Sequence, residues 1–199
     1  MILTIIIKKL RIESKVGNFT FKITIIGDGT VGKTSLIKKF TQGGFESDYV
    51  KTIGAQFSKH EEEIDGDNCK LFFWDIAGQD TFHFLRPTFY NGSVGAIIVY
   101  TLEENAFGIE SFSHVKNWHK EIKKYCGDIP VLLFGNKVDL VDEKNLDDKK
   151  VFKLIKKRNI DGYYRTSAKT GAGVVQAFHT LIKKLHSKGK LGNLNSIPE

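Results

Sequence analysis

Eight residues near the start of the chain, Gly27-Asp28-Gly29-Thr30-Val31-Gly32-Lys33-Thr34, fit the spacing G-x-x-x-x-G-K-[ST]. Each residue type has a use there. Glycines let a backbone wrap closely with its N–H groups pointing inward, which suits phosphate oxygens. A β-type run precedes the segment and a helical run follows it, so a helix beginning near Lys33 adds the positive end of its dipole. Lys33 can reach the β- and γ-phosphates of a nucleotide, and the Thr34 hydroxyl suits a hard magnesium ion. The residues expected around the phosphates are Asp28, Gly29, Thr30, Val31, Gly32, Lys33, Thr34 and Ser35.

A second group addresses the base. Asn136-Lys137-Val138-Asp139 directly follows an apolar strand, which puts Asp139 at the carboxyl end of that strand, where open α/β sheets bind ligands. A carboxylate there accepts two hydrogen bonds from the ring N–H and exocyclic amine of guanine. Adenine presents an acceptor instead, and the mismatch costs a factor of about 10⁴. Ser167-Ala168-Lys169 follows the last strand and can brace the other edge of the base. The third element, Trp74-Asp75-Ile76-Ala77-Gly78-Gln79, closes another apolar strand. Asp75 can hold magnesium through water, Gly78 can offer a backbone N–H to a γ-phosphate, and Gln79 can orient an attacking water. Thr52 lies in a loop before the next strand, and its hydroxyl is available to magnesium when that loop closes.

Positioning these residues takes a layered fold. Apolar runs at 21–26, 69–74, 94–100 and 130–134, with a last strand at 163–166, read as strands covered on both faces. Helical spacing covers 34–40, 110–125, 145–158 and 173–187, and Asp65-Gly66-Asp67-Asn68 marks a hairpin joining 55–64 to 69–75. The pattern predicts one α/β domain. Residues 2–7 (ILTIII) are expected as an added edge strand or a weak membrane-touching segment, and residues 188–199 as a flexible tail.

The 199 residues carry a formal charge of +7, but residues 149–190 hold twelve of the 30 basic residues and one acid. The rest of the chain is mildly acidic. With 26 lysines against only four arginines, the residue type suited to forked phosphate and base-edge recognition, a nucleic-acid partner is not expected. The lysines are either a solvated face or a contact for anionic headgroups. Two cysteines, Cys69 and Cys126, supply no disulfide framework and indicate a reducing compartment.

With these motifs in this order, the chain resembles the Ras superfamily of small GTPases, most nearly its Rab-like branch, from about Phe19 to Leu185. The resemblance implies a P-loop NTPase G domain over 19–187, with a six-stranded, mostly parallel sheet flanked by helices on both faces. It implies a GTP-on, GDP-off switch with magnesium, and an 18-residue leader outside the domain. By position Phe45 matches the aromatic that packs on guanine and Tyr49 the switch tyrosine near the γ-phosphate. Gln79 and Gly29 argue for a working hydrolase, with Lys33, Thr52, Gly78 and Gln79 as the catalytic set and Thr34, Thr52 and Asp75 on the metal. Ile76 stands where threonine is usual, and Asp80 where glutamate is usual. No arginine occurs between Arg11 and Arg86, and Arg86 is expected in a surface salt bridge, so turnover should be slow without an activating partner. An exchange factor and effectors are also implied. Phe57, Trp74 and Tyr90 are either an effector patch or packing. A nucleotide-bound scaffold and an RNA-linked GTPase are weaker readings. No cysteine follows Cys126 and residue 2 is Ile2, so no lipid-anchored form is expected, and the protein reads as a cytoplasmic monomer.

Overall fold

A computed structural model of the chain describes residues 16–43, 54–78, 84–144 and 146–192. Along these residues run β1 (Asn18–Ile26), α1 (Lys33–Gln42), β2 (Ala55–Ile64), β3 (Asp67–Ile76), α2 (Arg86–Tyr90) and β4 (Gly95–Thr101). They continue with α3 (Ala106–Cys126), β5 (Val131–Asn136), α4 (Lys149–Arg158), β6 (Gly162–Arg165) and α5 (Val174–Lys190). The strands form one sheet in the order β2-β3-β1-β4-β5-β6. Only β2 runs antiparallel to its neighbour; the other pairings are parallel.

Alternation explains the layers. In β4, Ile97 and Val99 face one core while Ala96, Ile98 and Tyr100 face the other. β5 divides likewise, with Leu132 and Phe134 on one side and Val131 and Leu133 on the opposite one. Both faces are therefore covered, which is why these strands read as unbroken apolar runs. Helices α1 and α5 supply Leu36, Phe178, Leu181 and Leu185 to the first core. Helices α2, α3 and α4 supply Tyr90, Val115, Ile122 and Val151 to the second.

The hairpin is where the sequence put it, but pairing continues to Ile64 opposite Asp67, two residues earlier than expected. Asp65 and Gly66 make that tight turn possible by taking positive φ, 51° and 84°. Helix α5 ends at Lys190, three residues later than predicted, because the Lys190 ammonium lies 2.8 Å from the Asp67 carboxylate and holds the last turn down. Helix α3 starts at Ala106, earlier than expected, because the Asn105 side chain caps it by accepting the Gly108 N–H at 2.8 Å. Helix α4 starts at Lys149 rather than at 145.

One expectation is overturned around α2, and one left open is decided. Arg86 is not on the surface. It is 5% exposed, with its guanidinium 4.5 Å from the centre of the Trp118 ring and 3.6 Å from Glu121. Tyr90 is fully buried, so of the two readings given for it, effector patch or packing, packing holds. The strand expected over residues 2–7 lies outside the described residues.

Candidate functional site

Five parallel strands end at one pole of the sheet, and each contributes the loop that follows it. The segment after β1 carries Gly27 to Gly32, and α1 begins at Lys33. Gly32 takes φ +100° as the residue before the helix, a conformation open to glycine, and a Cβ there would strike the Asn136 amide. The Lys33 ammonium folds back to donate to the Gly27 carbonyl at 2.9 Å and the Asp28 carbonyl at 2.8 Å. Burial lowers its pKa to about 8, against the opposing pull of the Asp75 and Asp28 carboxylates. The glycine after β3, Gly78, lies directly on this loop, since a Cβ on it would run into the Gly27 carbonyl and the Asp28–Gly29 peptide.

Thr34 Oγ1 donates a hydrogen bond to the Asp75 carboxylate, which is itself buried at the end of β3. A hydroxyl and a carboxylate brought together beside a phosphate-type loop are hard oxygen donors, so the donor set suits a magnesium ion.

The base motif sits across the pole. Asn136, 1% exposed, donates to the Val31 carbonyl at 2.8 Å and accepts from the Ala168 N–H at 3.2 Å and the Thr166 hydroxyl at 3.3 Å. It thus fastens the loop after β1 to the loop after β6. Lys137 turns the chain with φ +65° and donates to Glu103 at 2.7 Å. That bond holds the Glu103 carboxyl below its usual range. Asp139 is exposed, and one of its oxygens accepts the Ser167 hydroxyl at 2.5 Å. Ser167 is fixed in turn by the Thr170 N–H at 3.0 Å. Lys169 is exposed beside it.

The structure therefore brings together Asp28 to Ser35, Asp75, Gly78, Asn136, Lys137, Asp139 and Ser167 to Lys169 at one end of the molecule. Phe45, Tyr49, Thr52, Gln79 and Asp80 lie outside the described residues. Sequence reasoning missed Glu103, which holds Lys137. It also missed the grip of α3 on Asp28: one carboxylate oxygen accepts the Trp118 indole N–H at 2.7 Å and the other lies 2.7 Å from His114 Nδ1. A signal existed for Trp118, since a buried indole N–H must find an acceptor. Phe57 is 62% exposed with its ring 6.2 Å from that of Trp74, so these two aromatics form an open surface beside the site.

Sequence comparison with known proteins identifies the family. A family model described as "Ras family" matches residues 22–187. The Ras-related protein Rab-8B of Homo sapiens is 33% identical over 186 residues, covering 92% of this chain and 87% of that protein. Rab-18-B of Danio rerio is 38% identical over 168 residues, covering 83% and 79%. Rab-21 of Bos taurus is 36% identical over 168 residues, covering 84% and 73%. A phosphate-type loop, a guanine-type motif and these likenesses over most of the length lead to one conclusion: the chain belongs to the Ras family, as a Rab-like GTPase that binds GTP and hydrolyses it as a molecular switch.

Proposed function

We propose that GTP lies across this pole with its phosphates in the loop of Asp28 to Ser35 and its base against Asp139, Ala168 and Lys169. The observation that carries the reading is the Asn136 bridge, which holds the phosphate loop and the base loop as one unit. Asp139 accepts from guanine, with Ser167 fixing its carboxylate. Lys33 leaves its two carbonyl partners for phosphate oxygens, and the Gly78 N–H meets the γ-phosphate. Gln79 orients the water for in-line attack, while Phe45 and Tyr49 cover the base and phosphates on the strength of the family resemblance. Thr34, Asp75 and Thr52 would hold magnesium, which when bound neutralises charge on the β- and γ-phosphates.

Intrinsic turnover is slow in this reading, because Arg86 is engaged by Trp118 and Glu121 and no arginine occurs in the sequence between Arg11 and Arg86. An activating partner's arginine then supplies about 10³–10⁵-fold. Family members work with activating proteins, exchange factors and effectors, and Phe57 and Trp74 are the surface proposed to meet them. We place the protein in the cytoplasm. No described helix is long and apolar enough to cross a membrane.

The test is the nucleotide retained by the purified chain, followed by single-turnover hydrolysis. Retained guanine nucleotide and a rate below about 10⁻² s⁻¹ are expected. Retained adenine nucleotide, or fast unaided hydrolysis, would contradict the proposal.

A further inference from the structure

Asp28 stands in the phosphate loop, yet its carboxylate is committed to α3, the helix on the opposite face of the sheet from α1. Its side chain is 14% exposed, and both oxygens are taken by α3 at 2.7 Å, one by Trp118 and one by His114. A carboxylate only accepts, so the His114 Nδ1 carries the proton. The main-chain carbonyl of Asp28 is one of the two acceptors that hold Lys33. Where α3 holds Asp28 therefore also sets where the Lys33 ammonium rests.

The other end of the same stripe holds α2. His114, Trp118 and Glu121 are spaced four and three apart, which puts them on one face of α3. The Arg86 guanidinium lies over the Trp118 ring at 4.5 Å and 3.6 Å from Glu121, whose second oxygen accepts the Tyr90 hydroxyl at 3.0 Å. Arg86 and Tyr90 are the first and last residues of α2. A continuous run of contacts thus joins α2, through Glu121 and Trp118, to the loop that holds the phosphates.

We propose that Trp118 and His114 are positioning residues for nucleotide binding: they hold the phosphate loop through Asp28, and through Glu121 they link its hold on phosphate to the position of α2. The proposal rests on the reading of this loop as the GTP site. Hydrogen bonds to an ionised group in a shielded place are worth enough that losing one changes an equilibrium about tenfold or more. Loosening Asp28 should thus appear as faster nucleotide release.

The experiment measures dissociation of a fluorescent GDP analogue from the full chain. Retention of GDP by the unaltered protein tests the guanine-nucleotide reading separately. Trp118→Phe keeps an aromatic ring, smaller than the indole, and removes the N–H, and should raise the dissociation rate about tenfold. His114→Ala should do the same, and His114→Asn, which restores a donor near the Nδ1 position, should return the rate close to that of the unaltered chain. Glu121→Gln should raise the rate severalfold and less than additively with Trp118→Phe, because the two act along one run of contacts. A Trp118→Phe rate equal to the unaltered one overturns the proposal. So does equal behaviour of His114→Ala and His114→Asn, which is what packing alone would give. His114 is 39% exposed, so its variants fold even if Trp118 tolerates no change.

Discussion

Gly78 admits no side chain, and this places the sharpest residue-scale constraint on the site. Its Cα faces the Gly27 carbonyl so closely that a methyl group forces one of the two loops to move. Overpacking of this kind costs about 1–3 kcal/mol. Gly78→Ala should therefore weaken nucleotide binding or slow single-turnover hydrolysis by about tenfold or more. The fold should melt close to the unaltered temperature, because the site is at the surface of the sheet's pole. Unchanged binding and hydrolysis would show that the loops have room to spare. At this scale the motifs were legible because their requirements are local: glycine conformations and strand ends are written in adjacent residues. Asn136 shows the limit. Its place in the base motif was evident, but its bond to Val31 joins residues 105 apart in sequence. The Asp28–Trp118 bond spans 90 and was equally hidden.

Helices reveal the same divide between local and distant causes. Apolar spacing located α1, α3, α4 and α5 within a few residues, since one buried face imposes its period on the sequence. Helix α2 was missed: five residues carry too little periodicity, and Arg86 looks like a surface residue until Trp118 and Glu121 are placed beside it. Helix α4 presents the opposite case, a charge pattern whose meaning lies on the outside. Val151, Leu154 and Ile155 turn inward, while Lys149, Lys150, Lys153, Lys156 and Lys157 are exposed and make no ion pair with a described residue. Phe152, 59% exposed, stands among them. Each lysine near an anionic bilayer gains about 1 kcal/mol. Vesicles containing phosphatidylserine should therefore bind the protein at low salt, and neutral vesicles should not. Replacing Lys149, Lys153 and Lys156 with glutamate should abolish binding while hydrolysis is unchanged. Equal sedimentation of both proteins would make α4 an ordinary solvated face.

Over the whole molecule, the opening charge excess divides into paired and unpaired parts. Lys184 pairs with Asp161, Arg165 with Asp148, and Lys190 with Asp67. Asp67 gathers several partners on one carboxylate. It accepts from Lys190 at 2.8 Å, from the Gly17 N–H at 2.8 Å, and meets His186 Nε2 at 2.8 Å. These partners, Lys190 first, hold its carboxyl well below the usual carboxylate range. A depressed pKa means the stabilisation is full above the ordinary carboxylate range and is lost as pH falls below it. Melting temperature should thus drop between about pH 4 and the acid limit, and Asp67→Asn should flatten part of that drop. An identical acid profile in the variant would move the cause elsewhere. The α/β plan of the described residues was legible, because a two-sided core leaves long apolar runs in the strands. What joins the described ends was not.

That junction also governs how the molecule answers a pull. Gly17 and Lys190 share one carboxylate, so β1 enters and α5 leaves the domain at the same corner, opposite the nucleotide pole. A force applied at these two points would load their bonds one after another, as a zip opens, instead of shearing all strands of the sheet together. The corner should yield first and α5 peel from β1, while the pole that holds Lys33 and Asn136 stays assembled until the tear reaches it.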